Sequence, residues 1–149
     1  MVCLGNICRS PVAEGVMKHH AQKHKLEVQV ASAGTSGFHE GERPDKRSTS
    51  NAMLHGVDIT NQRSRPVRKD DFERFDLVFA MDDSNYENLL ALADAQHHHK
   101  IKMILNESHP GQNLPVPDPY FGNDGFEEVF QLINDACAII AQKLKDNEY

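Results

Sequence analysis

Apolar runs of strand character take turns with stretches of helical period along this chain, and that alternation constrains its fold more than any other feature. Strands interleaved with helices build an open parallel sheet with helices on its faces, an α/β arrangement. Ser10 and Pro11 supply an N-cap and a first helical residue, and the pairs Val12, Val16 and Ala13, Met17 follow at helical spacing. A helix is predicted over about residues 11–24. Leu26, Val28 and Val30 alternate with Glu27 and Gln29 as in a strand with one wetter face, and residues 34–44 read as a loop. A short helix is expected over residues 45–55, ended by Gly56, with Val57 to Ile59 extended beyond it.

Leu77, Val78, Phe79 and Ala80 form a compact apolar run suited to a strand covered on both faces. Ser84 with Glu87 has the spacing of a capping box, so a helix should follow with Tyr86, Leu89, Leu90 and Ala93 inward. Ile101, Met103, Ile104 and Leu105 suggest a further strand, and residues 106–125 form a long loop rich in Pro, Asn and Gly, a kind of loop that often carries function. Phe126, Val129, Phe130, Ile133, Cys137, Ile140 and Leu144 recur at helical spacing behind a start signal from Asp124 and Glu127. Cys137 falls on that apolar stripe and reads as a packed thiol.

A chain of 149 residues fits one domain, taken as 1–149. No apolar run approaches the roughly 20 residues of a membrane span, and no secretory leader is recognisable, so a soluble cytoplasmic protein is expected. Three cysteines are too few for a disulfide scaffold and stay as thiols in a reducing compartment. The net charge of −6 argues against nucleic-acid binding while leaving room for a local anion pocket.

Chemistry concentrates in Cys3-Leu4-Gly5-Asn6-Ile7-Cys8-Arg9-Ser10-Pro11, where a cysteine and an arginine bracket five residues at a helix start. Such a loop can turn successive N–H groups inward, and their partial charge adds to the helix N-terminal dipole to make an oxyanion nest. Gly5 permits a backbone conformation costly to other residues, and the Arg9 guanidinium can hold two phosphate oxygens at once. The same field favours thiolate over thiol at Cys3, making it the nucleophile. Ser10 is placed to hydrogen-bond that sulfur, a role compatible with capping.

The nine-residue segment closely resembles the phosphate-binding loop of low-molecular-weight protein tyrosine phosphatases, Cys-x5-Arg-Ser near the N-terminus. The resemblance extends over essentially the whole chain and includes Asp118-Pro119-Tyr120-Phe121-Gly122. Alone, Asp118-Pro119 is turn chemistry; the resemblance implies that Asp118 is the general acid and base. It further implies that Tyr120, Phe121 and Phe38 wall the entrance, and that Asn6 and Ser32 hold the loop in shape. Without it, Phe38 could equally cover the core beneath its loop. Asn61, where relatives carry histidine, and Met81-Asp82 match family positions with no role assigned. A three-layer, four-stranded parallel sheet in order 2-1-3-4 is implied, with the first strand at the switch point. That strand is read as truncated, since only Met1 and Val2 precede Cys3, and a short apolar extension is expected to raise Tm.

The expected reaction is hydrolysis of phosphotyrosine, in a protein or as a small aryl phosphate, through a phosphocysteine on Cys3. No cofactor and no metal is required, and a monomer is expected. A protein arginine phosphatase is one alternative, but relatives with that preference have Thr where Ile7 stands. An arsenate reductase would need two further relay cysteines, and residues 77–92 contain none. A phosphate-binding module without turnover would not need Asp118. Cys8 either forms a reversible disulfide with Cys3 under peroxide or is a small buried thiol. His97, His98 and His99 read as an exposed polar turn, because consecutive side chains do not converge on one ion. His19 and His20 read as the solvent face of the first helix.

Overall fold

A computed structural model describes residues 1–149. Four short parallel strands, β1 (Val2–Cys3), β2 (Ala33–Gly34), β3 (Val78–Ala80) and β4 (Ile101–Met103), lie in the order β2-β1-β3-β4. Val2 pairs with Ala33 on one side and Ala80 on the other, and Val78 pairs with Ile101. The crossovers are helical, with α1 (Arg9–Lys23) between β1 and β2, α2 (Lys46–Leu54) and α3 (Asp71–Arg74) between β2 and β3, and α4 (Asp83–Leu92) between β3 and β4, while α5 (Phe126–Lys145) follows β4.

Period-2 alternation divides the core between the two sheet faces. Cys3 and Phe79 pack with Val12 and Val16 of α1 and with Val129, Ile133, Cys137 and Ile140 of α5. Val2, Val78, Ala80, Ile101 and Met103 pack instead with Phe72 of α3 and Leu89 of α4. The α/β three-layer sheet expected from the alternation is therefore present, and the α5 stripe is buried as its spacing predicts.

Several local expectations change. Leu26, Val28 and Val30 are not in a strand, and the ladder begins at Ala33. Extended conformation becomes a strand only opposite a partner; Met1 bonds through its amine to Ala31 O and through its carbonyl to Ala33 N, and residues 26–30 lie outside the ladder. Helix α1 begins at Arg9, two residues before the expected start, and closes with Lys25 in the left-handed region (φ 55°), where Leu26 N donates to Ala21 O and Lys25 N to Gln22 O. Helix α4 starts two residues earlier than the Ser84–Glu87 spacing suggests, because Asp82 is the N-cap and its carboxylate accepts from Asn85 N at 2.8 Å. Ile104 and Leu105 leave β4 for a 3₁₀ turn.

His97 to His99 lie in another 3₁₀ turn, where His98 Nε2 reaches the carbonyls of Leu90 and Ala93. His20 does not face solvent but hydrogen-bonds Asn134 of α5 at 2.9 Å, whereas His19 is exposed. An apolar cleft of about 310 Å³, lined by Met1, Val28, Phe75, Leu77 and Leu144 among others, opens at the N-terminal ends of the strands. The residues singled out for chemistry gather at the other end. No helix is long and apolar enough to cross a membrane.

Candidate active site

The first βα turn builds the site. β1 ends at Cys3, the chain turns through residues 4–8, and α1 begins at Arg9. The left-handed step of this turn falls on Asn6 (φ 56°), not on Gly5. Gly5 instead gives room to the His39 ring, from which a Cβ there would stand 3.0 Å. Asn6 tolerates its conformation because a short polar side chain can bond locally, and here it does so at every polar atom. Asn6 Nδ2 donates to Ser10 Oγ at 2.7 Å and to Ser32 Oγ at 2.9 Å, while Asn6 Oδ1 accepts from Arg65 N at 3.0 Å.

These bonds aim donors at the sulfur. Ser10 Oγ already accepts from Asn6, so its O–H is available to Cys3 Sγ, 3.1 Å away, and Asn6 N donates to the same sulfur at 3.3 Å. Behind them Ser32 donates to Glu14 Oε1 at 2.8 Å, and Lys18 pairs with the Glu14 carboxylate. A continuous line of hydrogen bonds thus joins the α1 surface to Cys3. Ser10 does not cap α1. Cys8 occupies the N-cap position without a side-chain bond, and the Ser10 hydroxyl serves the sulfur instead.

Arg9, buried to 3% exposure, enters from the first turn of α1. Arg9 Nη1 donates to Asp82 Oδ2 at 2.7 Å and to Val116 O at 3.0 Å, which fixes the plane of the guanidinium. Arg9 Nη2 lies 3.5 Å from Asp118 Oδ2. Asp82, to which the sequence assigned no role, is therefore the partner that orients Arg9 while also capping α4. The fold brings Cys3, Ser10, Arg9 and Asp118 together although 109 residues separate Arg9 from Asp118.

The remaining expected residues form the loop and its rim. Ile7 and Cys8 are buried and Leu4 is half exposed at 47%. Burial, with Asp45 second, pushes the Cys8 thiol up to about 12, against a weaker opposing hydrogen bond from Ser48. Burial alone takes Cys137 to about 12. Phe38 and Phe121 are each 86% exposed, so Phe38 does not cover the core. His39 stands edge-on to Phe38 at 4.9 Å and 6.1 Å from Tyr120, linking the two sides of an aromatic rim.

Sequence reasoning missed Glu14, Gln62 and Arg65. Gln62, rather than its neighbour Asn61, joins the polar network: its amide donates to Pro11 O at 2.9 Å and its oxygen lies 3.4 Å from Ser32 Oγ. Asn61 is exposed. No sequence spacing signals these partners, because they meet only after the sheet forms.

A cysteine and a buried arginine at the two ends of a tight βα turn, faced by a carboxylate from a distant loop, define the cysteine-dependent phosphatases of the open α/β class. The whole chain, residues 1–149, matches the family described as low molecular weight phosphotyrosine protein phosphatase, and it belongs to that family. It is 37% identical over 146 residues to the human low molecular weight phosphotyrosine protein phosphatase, covering 95% of this chain and 92% of that one. Among solved structures, the protein tyrosine phosphatase of Entamoeba histolytica superposes with a TM-score of 0.93 at 40% identity, covering 99% of this chain and 96% of the other. A Drosophila arginine phosphatase is also similar, with TM-score 0.89, 33% identity, and coverage of 97% and 95%.

Proposed function

We propose that this chain hydrolyses phosphotyrosine, in proteins and in small aryl phosphates, through a phosphocysteine on Cys3. The observation that carries the reading is the convergence of Cys3 Sγ, Arg9 and Asp118 on one side of the loop, with Ser10 Oγ at 3.1 Å from the sulfur and Arg9 Nη2 at 3.5 Å from the carboxylate. The thiolate attacks phosphorus in line with the leaving phenolate, and Asp118 gives that phenolate its proton. Asp118 then takes a proton from water, which attacks the phosphocysteine and frees the sulfur, now held by Ser10 and the Asn6 amide. Arg9, braced by Asp82 and Val116 O, holds the equatorial oxygens in both steps, with the amides of residues 4–8 as further donors.

Ile7 and the rim of Phe38, Tyr120 and Phe121 support an aryl substrate over phosphoarginine, since an apolar wall suits a phenyl ring. We also take the reaction to occur in the cytoplasm, on a monomer, in a compartment that keeps three buried cysteines as thiols. Paired assays with phosphotyrosine and phosphoarginine peptides test the substrate. Higher kcat/KM on phosphotyrosine is expected, and the reverse order would reassign it. Cys3→Ser should abolish turnover of p-nitrophenyl phosphate.

A further inference from the structure

The loop that carries Asp118 needs a fixed position over the phosphate pocket, yet most of residues 117–124 are exposed. Its anchor is Arg47, in the first turn of α2. Arg47 Nη2 donates to Tyr120 O at 2.9 Å and Nη1 to Gly122 O at 2.6 Å. On its other edge the same guanidinium meets Asp45, with Nε to Oδ1 and Nη2 to Oδ2, both at 3.0 Å. Its faces lie against Phe126 at 4.7 Å and Tyr120 at 5.8 Å from the ring centroids. These bonds engage four of the five guanidinium N–H groups, so Arg47 is committed mainly to protein partners rather than to a second phosphate site.

The connections run directly to the reacting groups. Tyr120 N donates to Asp118 Oδ1 at 3.1 Å, so Tyr120 is held by Arg47 at its carbonyl and holds the carboxyl of Asp118 with its amide. Asp45 N donates to Ile7 O at 2.8 Å, so the other end of the clip is tied to the phosphate loop. Asp45 and Arg47 therefore span the two loops that must meet for the reaction, and the Arg47 hydrogen bonds hold the Asp45 carboxyl below its ordinary range even though partial burial works the other way.

We propose that Arg47 is a positioning residue that fixes Asp118 over the Cys3 loop and thereby sets the efficiency of proton donation to the leaving group. The inference rests on Asp118 being the general acid. A proton donor matters most when the leaving oxygen is a poor one, so loss of its placement steepens the dependence of kcat/KM on leaving-group acidity. A residue that only stabilised the fold would lower every substrate alike.

The test measures kcat/KM for aryl phosphates of graded leaving-group acidity, from p-nitrophenyl to phenyl phosphate, with wild type, Arg47→Met, Arg47→Lys, Asp118→Asn and the Arg47→Met/Asp118→Asn pair. Arg47→Met is expected to lose about tenfold on phenyl phosphate, a fraction of the ~100-fold a general acid can supply, and much less on p-nitrophenyl phosphate. Arg47→Lys, able to reach one carbonyl but not both, should fall between. The double variant should be no slower than Asp118→Asn. Arg47 is at the surface, and Arg47→Lys gives an independent readout if Arg47→Met folds poorly. A steep profile for Asp118→Asn with parallel profiles for wild type and both Arg47 variants would overturn the role of Arg47 alone. A flat profile for Asp118→Asn would overturn the acid assignment, and the inference with it.

Discussion

Three thiols share this chain, and Cys3 differs from the other two in the donors that surround it. All three are buried; burial pushes the Cys8 and Cys137 thiols up to about 12, while Cys3 Sγ accepts from Asn6 N and lies 3.1 Å from Ser10 Oγ. Iodoacetate at neutral pH is expected to alkylate Cys3 alone, and inorganic phosphate should protect it; peptide mapping by mass spectrometry reads both results. Asn6→Ala leaves the Ser32 and Ser10 hydroxyls and the Arg65 amide without their partner and keeps a Cβ at φ 56°. It should lose about 2–4 kcal/mol in urea unfolding, from the strained conformation together with unpaired buried groups. Asn6→Gly removes the same bonds without the strain, so it should recover about 1–2 kcal/mol of that loss.

At the scale of elements, the short helix α3 steadies the loop from a distance. Asp71 accepts from Arg65 Nη1 at 2.8 Å, Arg65 Nη2 at 3.1 Å and Arg68 N at 2.8 Å, and Arg65 in turn gives its own amide to Asn6. Burial alone would raise the Asp71 carboxyl, but these donors outweigh it and hold it below its ordinary value. A carboxyl lowered by folding contributes stability above its unfolded pKa and loses it as pH falls through the folded one. Thermal melts between about pH 5 and pH 2 should therefore show wild type losing Tm faster than Asp71→Asn, and the variant should be less stable at pH 7 by about 1–3 kcal/mol. None of this was legible beforehand. Apolar runs such as Leu77 to Ala80 and the α5 stripe announce themselves because burial selects their period. The alternation at Leu26 to Val30 reports an extended chain but not its missing partner, and the cap at Asp82 competes with an equally plausible pair at Ser84 and Glu87. Cys3, Arg9 and Ser10 sit in one contiguous motif, so the sequence displays them, while Asp82, Gln62, Arg65 and Arg47 come from elements that only the sheet order brings near.

Across the whole molecule, the sheet divides two apolar layers, and Ile133 lies fully buried in the larger one between α5 and the sheet. Ile133→Ala should cost about 2–5 kcal/mol by urea unfolding, with no change in the identity of the labelled cysteine. The architecture places the phosphate loop at the carboxyl end of β1, the central strand beside which the order reverses, where open α/β sheets bind their ligands. A covalent phosphocysteine intermediate on Cys3 is expected from this placement. Its most direct measurement is rapid acid quench of the protein during turnover of a phosphotyrosine peptide, followed by mass spectrometry of the trapped enzyme. One phosphate on Cys3, absent from Cys3→Ser together with all turnover, is the predicted result. Phosphate on any other residue, or hydrolysis that persists in Cys3→Ser, would contradict it.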